Sequence, residues 1–284
     1  MGIIVGIATA LTASLQNVFF RRLSDIPALQ VNWVRFVAGA IIAGCFATIF
    51  SVWQIPPARF WFLVGISVPL ELALGFCYVR AFQLSPQSVV GPLFSLSAVF
   101  LIPMSYFLNG ELPSFMGFLG IISVLVGAVG LGWDLNNPRI RTALGNIFRE
   151  RGSMYMLGAA FLAGITVAVA KFVFQYASPL LFAFWVLTGL AIVHTPLVFR
   201  YSLTALWAQK RDILFAAGFF SLTQVLHYTG INLTLAAYFI SYKRLSIVFD
   251  VFLGRYFGRE THFRERLIGA GLMVAGVVLI TFAR

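Results

Sequence analysis

The stretch ISYKRLSIVFDVFLG, residues 240–254, places Lys243, Arg244 and Asp250 inside a run otherwise apolar enough to cross a bilayer. A Lys, Arg or Asp at the centre of a membrane helix costs about 2.5–3.5 kcal/mol on insertion scales. A Leu or Phe returns only about 0.3–0.6 kcal/mol. Such residues therefore face a protein interior or a wet cavity rather than lipid. Two adjacent cations there suit a carboxylate or phosphate on a passing molecule. Lys243 and Asp250 are two helical turns, about 10.5 Å, apart on one face, and Arg244 is rotated by about 100° from Lys243. A direct Lys243–Asp250 bridge is out of reach, so each must find a partner elsewhere.

Glu71, in VGISVPLELALGFCYVRAF, is the other acid inside an apolar run. Pro69 just before it removes a backbone donor and invites a kink. Tyr78 lies seven residues on and shares its face. Glu71 is expected either to neutralise one of the two cations or to carry a coupling proton. Asp250 is expected to staple a loop-edge arginine such as Arg255, or to take part in coupling. Lys171, near the end of its run, is expected to snorkel to the interface, with coupling as the other possibility. Arg35, in the first turns of its run, reads as a structural anchor.

Other chemistry is poorly served. His194, His227 and His262 lack metal-ligand spacing, so no metal is expected. There is no Gly-Lys-Ser/Thr phosphate loop and no nucleophile–base pair, so neither a cofactor nor an enzyme is expected. Cys45 and Cys77 form no disulfide framework.

The elements that must hold these residues follow from composition. The chain has 284 residues, 60% hydrophobic and 10% charged, with a mean hydropathy of +0.93, which excludes an ordinary soluble domain. Its formal charge of +11 is dispersed between apolar runs, which fits an anionic leaflet and not nucleic acid. Ten runs have the length of a bilayer-crossing helix: 3–20, 30–50, 58–82, 86–108, 113–133, 153–176, 179–200, 211–233, 235–258 and 263–283. The first has no basic residues ahead of it and reads as a span instead of a cleaved leader. The expected class is all-α: a polytopic membrane protein of ten helices.

The halves repeat. Residues 81–131 slide onto 230–280 with a shift of 149, matching Leu96-Ser97 to Leu245-Ser246, Glu111 to Glu260, Gly120 to Gly269 and Gly127 to Gly276. A shift of 152 matches Gly6 to Gly158, Phe20 to Phe172, Pro27 to Pro179 and Trp33 to Trp185 in the earlier spans. The expected division is 1–134 and 153–284, joined by a connector at 135–152. Five spans per copy force the second into the membrane in the opposite sense, an inverted repeat of the kind secondary transporters use. The same register sets Tyr78 against His227 and Gly75 against Gln224, while Lys243 and Arg244 replace Phe94 and Ser95. The cavity between the halves should be asymmetric in charge. Of the 20 basic residues, fourteen fall in the odd-numbered connectors or at the span edges beside them and only Arg59 and Arg284 on the opposite side, so the odd connectors are expected to be cytoplasmic.

Ten spans in two halves, the Trp/Arg pair of NWVRFVAGAII, the run KRLSIVFDVFLGRYFGRE and the Gly-rich LIGAGLMVAGVVLI together resemble the EamA-type transporters of the drug/metabolite transporter superfamily. The resemblance covers essentially the whole chain; the connector 51–59 departs from it in holding only Arg59. It implies a carrier whose central cavity is lined mainly by spans three, four, eight and nine, with five and ten more peripheral.

The expected function is secondary active transport by alternating access of a small anionic or zwitterionic metabolite, such as an amino acid or organic phosphate, as an exporter or exchanger. Lys243 and Arg244 would hold the anionic group, and Tyr78, Gln224 and His227 would supply hydrogen bonds. Broad efflux of lipophilic or cationic compounds through Glu71 or Asp250 is the alternative, and a non-transport scaffold or lipid-handling protein a third. The expected partners are a small-molecule substrate, the lipid bilayer and a coupling proton or counter-substrate, with no nucleic acid. The expected state is a monomer or weak homodimer in the cell (inner) membrane.

Overall fold

A computed structural model describes residues 1–23, 25–85, 90, 93–132, 150–200, 204–257 and 263–283, and no strand occurs among them. In hydrocarbon every backbone donor and acceptor must bond internally, which an apolar run achieves only by becoming a helix. The elements are α1 Gly2–Arg22, α2 Ala28–Ile49, α3 Ala58–Leu84, α4 Ser97–Asn109, α5 Phe115–Gly132, α6 Arg151–Val173, α7 Pro179–Val198, α8 Lys210–Leu233, a ninth helix in two pieces (α9a Ala236–Lys243 and α9b Ser246–Phe257) and α10 Phe263–Phe282. Five of them, α1, α2, α3, α6 and α7, are long and apolar enough to cross a membrane by length and composition. Residues 135–149 of the expected connector lie outside the described residues, as do Glu260 and the side chain of Arg255.

Local chemistry sets the ends. Pro27 and Pro57 stand just before α2 and α3, where a missing N–H has no helical partner to lose. Ser178 caps α7 by accepting the Leu181 N–H at 3.2 Å, with Pro179 at its first position. Gly110 ends α4 with φ +68°, a left-handed conformation that a Cβ would penalise.

Three features depart from the expected spans. In the fourth, a 3-10 turn at Phe94–Leu96 follows helical residue 93 and precedes α4. The ninth is interrupted at Arg244 and Leu245. A short helix, Thr204–Ala208, occupies the connector before α8. The first two interruptions coincide under the 149-residue shift, which carries 95–96 onto 244–245.

Helix packing follows the same symmetry. α3 packs on α6 as α8 packs on α1, α4 on α6 as α9 on α1, and α7 on α3 as α2 on α8. The α2–α7 and α5–α10 pairs map onto themselves. Two bundles result, α3/α4/α6 and α1/α8/α9, with the other two pairs around them.

The α5–α10 pair shows the inversion at atomic distance. A Cβ on Gly120 would lie 2.7 Å from the Gly276 carbonyl oxygen, one on Gly276 would lie 2.6 Å from that of Gly120, and one on Gly127 would lie 2.5 Å from that of Gly269. Position 120 meets 276 while 127 meets 269, so the helices run antiparallel. Ser123 between them donates to the Leu272 carbonyl at 2.8 Å, and 123 and 272 are themselves repeat equivalents. Bare glycine faces let backbones approach this closely where no hydrophobic force drives helices together. Gly271 faces open space and takes no part. Gly276→Leu is therefore expected to destabilise the protein by about 1–3 kcal/mol, as overpacking does. Gly271→Leu should be neutral in the same detergent unfolding titration.

Candidate functional site

The two interruptions face each other across a cavity of about 230 Å³. Glu71 and Leu74 come from α3, Phe94, Ser97 and Leu101 from the 3-10 turn and α4, and Ala163, Thr166, Val167 and Ala170 from α6. Gln224, His227 and Tyr228 come from α8, and Ile240, Lys243, Arg244 and Ser246 from both pieces of the ninth helix. α6 thus contributes a wall that the resemblance did not imply, while its repeat counterpart α1 contributes none among the described residues. The cavity is unequal in its frame as well as in its charge.

Of the residues singled out from the sequence, the structure brings Lys243, Arg244, Glu71, His227 and Gln224 together on these walls. Lys243 Nζ lies 3.4 Å from His227 Nδ1. It makes no ion pair within 4 Å among the described residues. Glu71 on α3 stands beside Thr166, close enough to Lys243 to interact electrostatically without bridging.

Arg244 is held differently. Its Nη2 donates to the Phe94 carbonyl at 3.0 Å and to Ser97 Oγ, and its guanidinium covers the Phe94 ring at 4.9 Å. The Nε is buried with no hydrogen-bond partner among the described residues. Arg244 therefore joins the break in the ninth helix to the 3-10 turn of the fourth and stays on the cavity wall.

Tyr78 does not line the cavity. Its ring meets Phe94 edge-on at 5.1 Å, within electrostatic reach of Arg35, Arg244 and Asp250. Arg35 is anchored on α2 and α8, donating to Asn32 Oδ1 at 2.8 Å and lying 4.1 Å over the Phe220 ring. Asp250 accepts from Ser14 Oγ at 2.5 Å and Asn17 Nδ2 at 3.2 Å, tying α9b to α1. Lys171 is folded inward instead of snorkelling: it pairs with Glu111 and donates to the Thr234 carbonyl. Trp185 sits 4.7 Å from Trp61 in an aromatic cluster with Phe184, away from the cavity walls.

Ser97, Thr166 and Ser246 line the cavity and were not singled out. The repeat held a signal for two of them, since Leu96-Ser97 and Leu245-Ser246 are equivalent. Both serines start a helical piece at the cavity, where the positive end of a helix dipole favours negative charge. Discontinuous helices whose N-termini meet at a repeat interface are how transporters build anion sites near the midplane. Among the described residues no cluster of His, Cys, Asp or Glu has the arrangement of a metal site.

Comparison with known proteins places this architecture. A crystal structure superposes with a TM-score of 0.77, covering 100% of this chain and 98% of that one at 16% identity, a likeness of fold alone. No match was found among curated proteins. The model of the EamA-like transporter family matches residues 1–133 and again 150–282, one stretch for each five-helix repeat. The chain belongs to the EamA-like transporter family, within the drug/metabolite transporter superfamily, and is an integral membrane transporter.

Proposed function

We propose that the protein is a secondary active transporter that carries a small anionic or zwitterionic metabolite, such as an amino acid or organic phosphate, by alternating access. Export or exchange across the cell (inner) membrane is the favoured direction. The observation that carries this reading is Lys243, a cation on the wall of a cavity between the two halves with no acid within ion-pairing distance among the described residues. An uncompensated ammonium at that depth costs several kcal/mol unless something negative comes to meet it.

The cavity supplies the rest of an anion site. Lys243 takes the charged group, with His227 holding the ammonium in place at 3.4 Å. Ser97 and Ser246 offer hydroxyls at the starts of α4 and α9b, and Gln224 offers an amide. Arg244 adds positive potential while securing the break, so the doublet divides its work: Lys243 binds and Arg244 positions. Tyr78, one turn from the walls, acts through Phe94 and the neighbouring charges rather than by direct contact. Glu71 faces Lys243 and is the group that would carry a coupling proton: protonated, it no longer competes with the substrate for the lysine. Two basic residues against one acid on the walls disfavour a lipophilic cation, which supports the anion reading over broad cation efflux.

In alternating access the two bundles rock about this site while the α2–α7 and α5–α10 pairs hold them together. Lys243→Gln removes a charge-assisted contact worth about 1.5–3 kcal/mol, so uptake into proteoliposomes should lose about ten- to a hundredfold in apparent affinity. A thermal-shift screen against amino acids and organic phosphates identifies the ligand, and its shift should vanish in the same variant. Glu71→Gln should retain ligand binding but lose the dependence of flux on an imposed pH gradient. Unchanged transport in Lys243→Gln would remove the basis of the anion reading.

A further inference from the structure

The Lys171–Glu111 ion pair lies off the cavity walls. The side chains of Lys171 and Glu111 are only 15% and 14% exposed. Lys171 directly follows Ala170, which lines the cavity, so the pair stands at its edge. Both residues belong to one side of the carrier: Lys171 ends α6, and Glu111 follows α4, where Ser105 Oγ donates to its Oε2 at 2.9 Å. Asn109 fastens the same segment, donating to the Ala168 carbonyl of α6 at 3.0 Å.

What the pair grips belongs to the other bundle. Lys171 donates to the Thr234 carbonyl, and Glu111 Oε2 accepts the Ala236 N–H at 3.1 Å. Thr234 ends α8 and Ala236 opens α9a, so a cation meets a helix's C-terminal carbonyl and a carboxylate meets a helix's first N–H. Each charge thus lies at the helix end that favours it. The Tyr238 hydroxyl adds a neutral bond nearby, accepting the Ser114 N–H at 3.0 Å.

We propose that Lys171 and Glu111 form a gate that holds the two bundles together on the even-connector side of the cavity and must release for the site to open there. The contacts join α6 and the α4–α5 turn to the α8–α9 turn, the elements that part when one bundle rocks against the other. A charged grip on main-chain atoms is strong in a dry seam and is replaced by water when the seam opens, so it has two stable arrangements, as a gate requires. The proposal rests on the alternating-access reading but not on which substrate is carried.

The test uses a full chain with Cys45→Ala and Cys77→Ala and a single reporter, Ala163→Cys, on the cavity wall. Labelling by a membrane-impermeant maleimide from the even-connector side should rise about tenfold in Lys171→Gln and in Glu111→Gln, with no such rise from the opposite side. Unchanged labelling in a folded Lys171→Gln protein overturns the gate. A second arm does not depend on those variants folding well. Cysteines at Leu112 and Leu235, which flank the two gripping positions and leave Lys171 and Glu111 intact, joined by a short bismaleimide, should abolish transport, whereas each single cysteine treated alike should transport. Transport that survives the cross-link also overturns the gate. The labelling arm needs no substrate, so a wrong anion assignment leaves its outcome unaffected.

Discussion

A chain in hydrocarbon cannot leave a backbone carbonyl or amide without a partner, and this constraint governs where the helices of this carrier can break. The fourth and ninth helices both interrupt their ladders, at Phe94–Leu96 and at Arg244–Leu245, and the two sites face each other. Arg244 serves both, standing at its own break while donating to the Phe94 carbonyl across the gap. The Phe94 carbonyl also accepts the Ser97 N–H, so Arg244 adds a charged second donor that ties the two breaks together. The cavity, the convergence of two helix starts at Ser97 and Ser246, and the exposure of Lys243 to that cavity all follow from pairing the two breaks.

The buried charges then sort by what surrounds them. Asp250 is consumed in holding α9b to α1 through Ser14 and Asn17. Lys171 and Glu111 satisfy each other and two helix ends. Arg35 rests on an aromatic ring and Asn32. Lys243 differs from these in having the His227 imidazole, and no acid, as its near neighbour among the described residues and a cavity beside it. A static ion pair would have made it a fastener; the gap between it and Glu71 leaves room for a ligand to complete the electrostatics. Structural charges at the periphery and an incomplete set at the centre are what let one region move while another stays closed.

The inverted repeat supplies the machinery for that motion. Related pairs of helices make related contacts in the two halves, so the arrangement on one face of the membrane has a counterpart available on the other. The chemistry is not duplicated: Lys243 and Arg244 stand where the first half has Phe94 and Ser95, and α6 lines the cavity while α1 does not. Under the proposed alternating access, a symmetric frame would permit two states of similar energy, and the asymmetric side chains would give a substrate a single site in both. The bare contact of Gly120, Gly127, Gly269 and Gly276 joins the halves through a seam without bulky side chains.

Composition and spacing alone determined that the chain lives in a bilayer, that it is helical, and that its halves repeat in opposite senses, because apolar length and an odd span count leave no other arrangement. They also picked out Lys243, Arg244, Glu71, His227 and Gln224, since polar atoms within apolar runs must gather around something polar. Only the tertiary structure decided which of these share a wall. It took Tyr78 off the cavity, turned Lys171 onto Glu111 and gave Asp250 to Ser14 and Asn17, partners 236 and 233 positions away in the chain. Helical periodicity reports which face of a helix a side chain occupies, whereas the neighbour that face meets depends on how distant helices cross. The pairing of the breaks at residues 94–96 and 244–245 was hidden for a related reason: each closes its backbone bonds locally, whereas the contact that joins them comes from the Arg244 side chain, 150 positions from Phe94.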